Sequence, residues 1–88
     1  MADERIEAAA IRWKGLTFSR PRPARHGDVI KSLHELHLAD ACHGEQGFVT
    51  SGGVFVDRTE ALAIALRSGQ LREDFRARGG ELFSEDLW

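Results

Sequence analysis

Two short apolar runs face each other across Ser51-Gly52-Gly53: Phe48-Val49-Thr50 before it and Val54-Phe55-Val56 after it. Runs rich in β-branched and aromatic residues, joined by a Gly-containing turn, predict a β-hairpin. A lone two-stranded hairpin is marginal in water, so the rest of the chain must supply further strands or a helix to cover it. Ile11 and Trp13, then Leu16 and Phe18, alternate around Lys14-Gly15. Gly15 tolerates the positive φ of a two-residue turn, so a second hairpin is expected with strands at 10–13 and 16–19. Arg20-Pro21-Arg22-Pro23 then reads as an extended connector, because proline cannot continue a central strand.

Helices fill the intervals. Val29, Ile30, Leu33, Leu36 and His37 lie on one helical stripe, which predicts a helix over 25–40, with Pro23 suited to the lead-in and Gly44 to the stop. Asp57 with Glu60 three residues later has capping-box spacing. Ala61, Leu62, Ala65 and Leu66 follow as an apolar face, and Gly69 ends a second helix. Leu71 and Phe75 could carry one more turn. Residues 1–9 read as a flexible N-terminus and 10–88 as a single domain. The expected fold is α+β: two β-hairpins forming a small antiparallel sheet packed on two helices in two layers. Trp13, Phe18, Leu33, Phe48, Phe55, Leu62 and Leu66 are the expected core. Phe55→Ala is expected to cost about 3–5 kcal/mol.

With 88 residues there is no room for a cofactor domain beside a substrate domain. Hydrophobic residues are 42 % of the chain and the net charge is -2, which excludes a fully disordered chain. No apolar run approaches the ~20 residues of a membrane span. Met1-Ala2-Asp3-Glu4-Arg5 has no signal core, and the single Cys42 cannot form an internal disulfide. Both fit a reducing cytoplasm. A core this small needs tight packing or self-association, so a homodimer is one expectation.

Four groups of residues carry candidate chemistry. His26, His34, His37, Cys42 and His43, with Asp40, are metal-ligand types, but CxxC and HExxH spacings are absent. No metal and no cofactor are expected. Arg12, Lys14, Arg20, Arg22, Arg25 and Lys31 outnumber the single acid Asp28 between residues 12 and 31. That basic stretch could bind nucleic acid weakly and in a salt-sensitive way. Arg25-His26-Gly27-Asp28 opens a helix, and with Arg58 and the Glu85/Asp86 pair it could serve a small enzyme or nucleotide-handling protein. Asp28 in a first helical turn is explained equally by capping. Phe83, Leu87 and Trp88 alternate with Ser84, Glu85 and Asp86, either folding back onto the sheet or docking a partner.

Ile11-Arg12-Trp13-x-Gly15, Pro23-Ala24-Arg25-His26-x-Asp28-Val29-Ile30, Glu45-Gln46-Gly47-Phe48-Val49-Thr50-Ser51, Phe55-Val56-Asp57-Arg58-x-Glu60-Ala61-Leu62-x-Ile64-Ala65, Gly69-Gln70 and Leu82-Phe83-Ser84-Glu85-Asp86-Leu87-Trp88 together form a specific string. It resembles a family of small uncharacterised proteins of bacteriophage and prophage genomes. Gly27 departs from it, standing where a second histidine is expected. Arg25, His26, Asp28, Gln46, Arg58, Gln70, Glu85 and Asp86 lie inside the string, whereas His34, His37, Cys42 and His43 do not. The resemblance implies a small phage accessory protein that acts by binding a protein partner in the host cytoplasm. A component of a host defence system is the expected partner, with anti-CRISPR proteins as the type. The candidate partner-binding residues are Arg20, Arg22, Arg25, His26, Asp28, Arg58, Gln70, Glu85, Asp86 and Trp88.

Overall fold

The computed structural model describes residues 4–73, 75 and 79–88. Four antiparallel strands form one sheet: β1 (Ile6–Trp13), β2 (Leu16–Pro21), β3 (Glu45–Thr50) and β4 (Phe55–Asp57). Their spatial order is β2-β1-β3-β4. Helices α1 (His26–Glu35) and α2 (Arg58–Ser68) follow β2 and β4. The architecture is the expected α+β arrangement of two hairpins and two helices.

Cross-strand pairing sorts the two faces. Ala9 lies opposite Phe48, Ile11 opposite Phe18, and Phe48 opposite Val56. Partners in an antiparallel pair point to the same face. Val29 and Leu33 of α1, Ala61, Ile64 and Ala65 of α2, and Leu82 and Leu87 cluster with these residues and with Ile6. That face is therefore the core, and the segment 81–88 closes it beside the helices. The opposite face carries Ala8, Ala10, Gly47, Val49 and Phe55. Phe55 lies over Gly47, and the Arg12 guanidinium sits 4.5 Å above the Phe55 ring.

The local signals explain most boundaries. Lys14 and Gly15 both have positive φ, at 50° and 78°, as a two-residue turn between right-twisted strands requires. The Asp57 carboxylate accepts from the Glu60 main-chain N–H at 2.8 Å, and Gly69 closes α2 in the left-handed region. This is the expected helix with its expected cap.

Several expectations are corrected. β1 starts at Ile6, not residue 10, and Ile6, Ala8 and Ala9 are buried. Residues 6–9 thus belong to the sheet rather than to a flexible end. Helix α1 stops at Glu35 instead of 40. His37 takes a positive φ of 60°, its N–H donates to the His34 carbonyl, and the Leu38 N–H donates to the Leu33 carbonyl. Those two bonds are a Schellman ending with histidine in the place usually held by glycine. A short 3-10 helix, Ala39–His43, follows. In the core, Leu33 and Phe48 are fully buried, but Trp13, Phe18, Phe55 and Leu62 are half-buried and Leu66 is 60 % exposed. Small side chains take up the difference: Ala9, Ala10, Ala41, Ala61 and Ala65 have no exposed surface. The further turn expected at 71–75 falls partly outside the described residues.

Candidate functional site

The densest set of polar contacts joins the start of α1, strand β3 and the segment 81–88. His26 is buried. Its Nε2 lies 2.7 Å from the Gly47 carbonyl oxygen, its Nδ1 lies 3.1 Å from Ser84 Oγ, and its main-chain N–H donates to the same Oγ at 3.2 Å. A carbonyl can only accept, so Nε2 carries the proton and Nδ1 accepts from the Ser84 hydroxyl. The ring stands edge-on to Phe48, 4.9 Å between centroids. Burial pushes the His26 pKa below its ordinary value. The Gly47 bond opposes that shift, the Arg58 charge adds to it, and the Glu85 charge opposes it.

This environment makes stability depend on pH. A histidine whose pKa is lowered in the folded state binds fewer protons folded than unfolded once the pH drops below about 6.5. Its stabilisation is therefore complete above that pH and is lost on acidification below it. The melting temperature should fall between pH 7.5 and pH 5.5, and the fall should be shallower in His26→Gln. Parallel pH profiles of the two proteins would show that His26 has no part in the acid sensitivity.

Neighbouring groups are likewise committed to holding the chain. The Asp28 carboxylate accepts from the Arg25 main-chain N–H at 2.8 Å and so caps its own helix. Arg25 Nε donates to the Trp88 main-chain oxygen at 2.6 Å, and Trp88 Nε1 donates to the Ala24 carbonyl at 2.8 Å. Asp86 is buried and accepts from the Phe83 main-chain N–H at 2.9 Å. Gln70 treats the start of β1 as a neighbouring strand would: its Oε1 accepts from the Ile6 N–H at 2.8 Å and its Nε2 donates to the Ile6 carbonyl at 2.9 Å. Glu85 is exposed.

Arg58 borders a cleft of about 440 Å³ lined by Gln46, Asp57, Thr59 and the carboxylates Glu45 and Glu81. Its Nη2 donates to Gln46 Oε1, its guanidinium lies 4.6 Å over the Phe83 ring, and its buried Nε has no partner among the described residues. Three carboxylates and one guanidinium line the cleft, so it does not suit an anion. Of Arg25, His26, Asp28 and Arg58, Arg58 alone lines this cleft.

The basic stretch is also divided. Arg12 lies on the sheet face away from the core and pairs with Glu45 at 2.7 Å, while Lys14 sits 4.6 Å over the Trp13 ring. Arg20, on β2 opposite Ala9 and so away from Arg12's face, and Arg22, just after β2, are both exposed. Because α1 ends at Glu35, His34 and His37 do not share a helical face. No group of three His, Cys, Asp or Glu side chains among the described residues could hold a metal ion.

A groove of about 290 Å³ lies between residues 17–20 of β2 and Val29, Ser32, Leu33 and Leu36 of α1 and its C-cap. Leu36 is 64 % exposed there, and Leu16, at the start of β2, is 59 % exposed. The sequence marks Arg20 as a candidate but not the half-buried Phe18 and the exposed Leu36 as groove-lining residues. Both sit at core-type positions of their periodic patterns, so nothing local marks them as lining a groove.

A family model described as phage T4 y16D protein matches residues 5–88. None of the curated proteins matches the chain, and no solved structure does.

Proposed function

The chain belongs to the phage T4 y16D protein family, and from that premise we propose that it is a phage accessory protein that works by binding a host protein, as an inhibitor of a host defence system. The observation that carries this reading is the employment of its chemistry-bearing side chains. His26, Asp28, Gln70 and Asp86 each tie one part of the chain to another. A catalytic reading needs several such groups converging on a substrate in one cleft. Here they serve the fold, which supports a function carried by the outer surface. No helix among the described residues is long and apolar enough to cross a membrane. The host cytoplasm is the place of action on this reading.

The test is genetic. A phage lacking this gene is plated on host strains that each carry a different defence system. It should plate less well than its parent on at least one strain, and the chain supplied from a plasmid should restore plating. Equal plating of mutant and parent on every strain would sink the inhibitor reading.

A further inference from the structure

We propose that the groove between β2 and α1 receives an extended segment of the partner protein, which adds as a fifth strand to the edge of the sheet and places an apolar and an acidic side chain two residues apart. The inference rests on the binding reading above and specifies the chemistry of its partner.

β2 pairs with β1 alone, so it is a sheet edge. Trp13 and Leu16 flank a two-residue turn and exchange main-chain bonds with each other, as do the alternate pairs Ile11/Phe18 and Ala9/Arg20. Thr17 and Ser19 therefore aim their N–H and C=O groups outward, a template for strand addition. Pro21 ends the register, so the added strand is short.

An incoming strand would send alternate side chains to the side where Leu16, Phe18 and Arg20 point. That side holds the groove beneath the outer flank of α1. A side chain beside Phe18 meets Leu33 and Leu36, which suits an aliphatic residue. The next one on that face meets Arg20, which suits Asp or Glu. Charge decides against a second copy of this chain as occupant. Antiparallel pairing of two β2 edges centred on Phe18 sets Arg20 of each copy opposite Leu16 of the other, and β2 has no Asp or Glu to offer either Arg20.

Selection of a random twelve-residue display library on the immobilised full chain tests the proposal. Enriched peptides should carry an aliphatic residue two positions from Asp or Glu. Ser19→Pro removes only an outward N–H and should leave the melting temperature unchanged while abolishing binding of the selected peptides. Arg20→Glu should weaken binding about tenfold or more, and Leu36→Asp should do likewise. Peptides without the acidic residue, peptides that bind Ser19→Pro as well as the parent, or an empty selection would overturn the proposal. So would a concentration-dependent dimer that Ser19→Pro dissolves, which would assign the edge to a second copy. These failures leave the plating test untouched: relief of a defence system with no edge peptide would mean that another surface does the binding.

Discussion

Phe48→Ala should reduce stability by about 3–5 kcal/mol, the cost of truncating a large side chain with no exposed surface. A chain of this size has roughly 4–13 kcal/mol in total, so the variant should lose a large fraction of its stability and melt well below the parent. Phe48 stands opposite Ala9 on one side and Val56 on the other, and His26 lies edge-on to its ring. None of these can move in to fill the space without losing its own contacts. Phe55→Ala should cost less, because Phe55 is half-buried on the far side of the sheet and shares its cover with Arg12. Urea denaturation of the two variants compares them directly. A larger loss for Phe55→Ala would mean that the far face, rather than the helix-covered one, holds the principal core.

Gly47→Ala should be nearly as damaging, at about 3 kcal/mol, the upper end of ordinary overpacking. A Cβ there would be driven into the Val56 carbonyl oxygen and would come within 2.5 Å of Phe55 Cζ. The carbonyl oxygen is backbone and cannot swing aside. Relief requires β3 and β4 to separate where Gly47 pairs with Asp57. The same shift carries the Gly47 oxygen away from His26 Nε2, leaving a buried imidazole N–H without its acceptor. Thermal melting with amide exchange across β3 and β4 would measure both effects. An unchanged melting temperature would show that the two strands slide apart freely and that the close approach at Gly47 is unimportant.

How much of this was legible in the sequence depended on whether the signal was local. Helix α2 was readable because Asp57, Glu60 and Gly69 each satisfy a helix end by themselves. The turn at Lys14-Gly15 was readable for the same reason. The end of α1 was not, because His37 adopts a left-handed conformation that histidine rarely takes and the apolar stripe runs past it. The start of β1 was hidden by Ala8-Ala9-Ala10, which has no alternation because both faces of the central strand are buried there. Arg25, His26 and Asp28 stood out as a polar group at a helix start, yet the partners that define His26, Ser84 and Gly47, are 58 and 21 positions away. No spacing rule connects such residues. The groove is not legible because Phe18 and Leu36 fit core patterns, and only the tertiary placement of β2 beside α1 opens a groove between them.

The tethers that close the molecule join distant positions. Trp88 reaches Ala24 and Gln70 reaches Ile6, each across 64 residues. β1, made early, sits at the centre of the sheet and waits for β3 before it gains its second neighbour. Long-range pairing of this kind slows folding, since loop closure is unfavourable until the contacts that reward it have formed. The first hairpin is marginal by itself, and Leu82 and Leu87, which follow every strand and both α-helices in the chain, complete the core they share with Ile6 and Phe48. Until residues 81–88 are made, the helix-covered face of the sheet therefore lacks the segment that closes it.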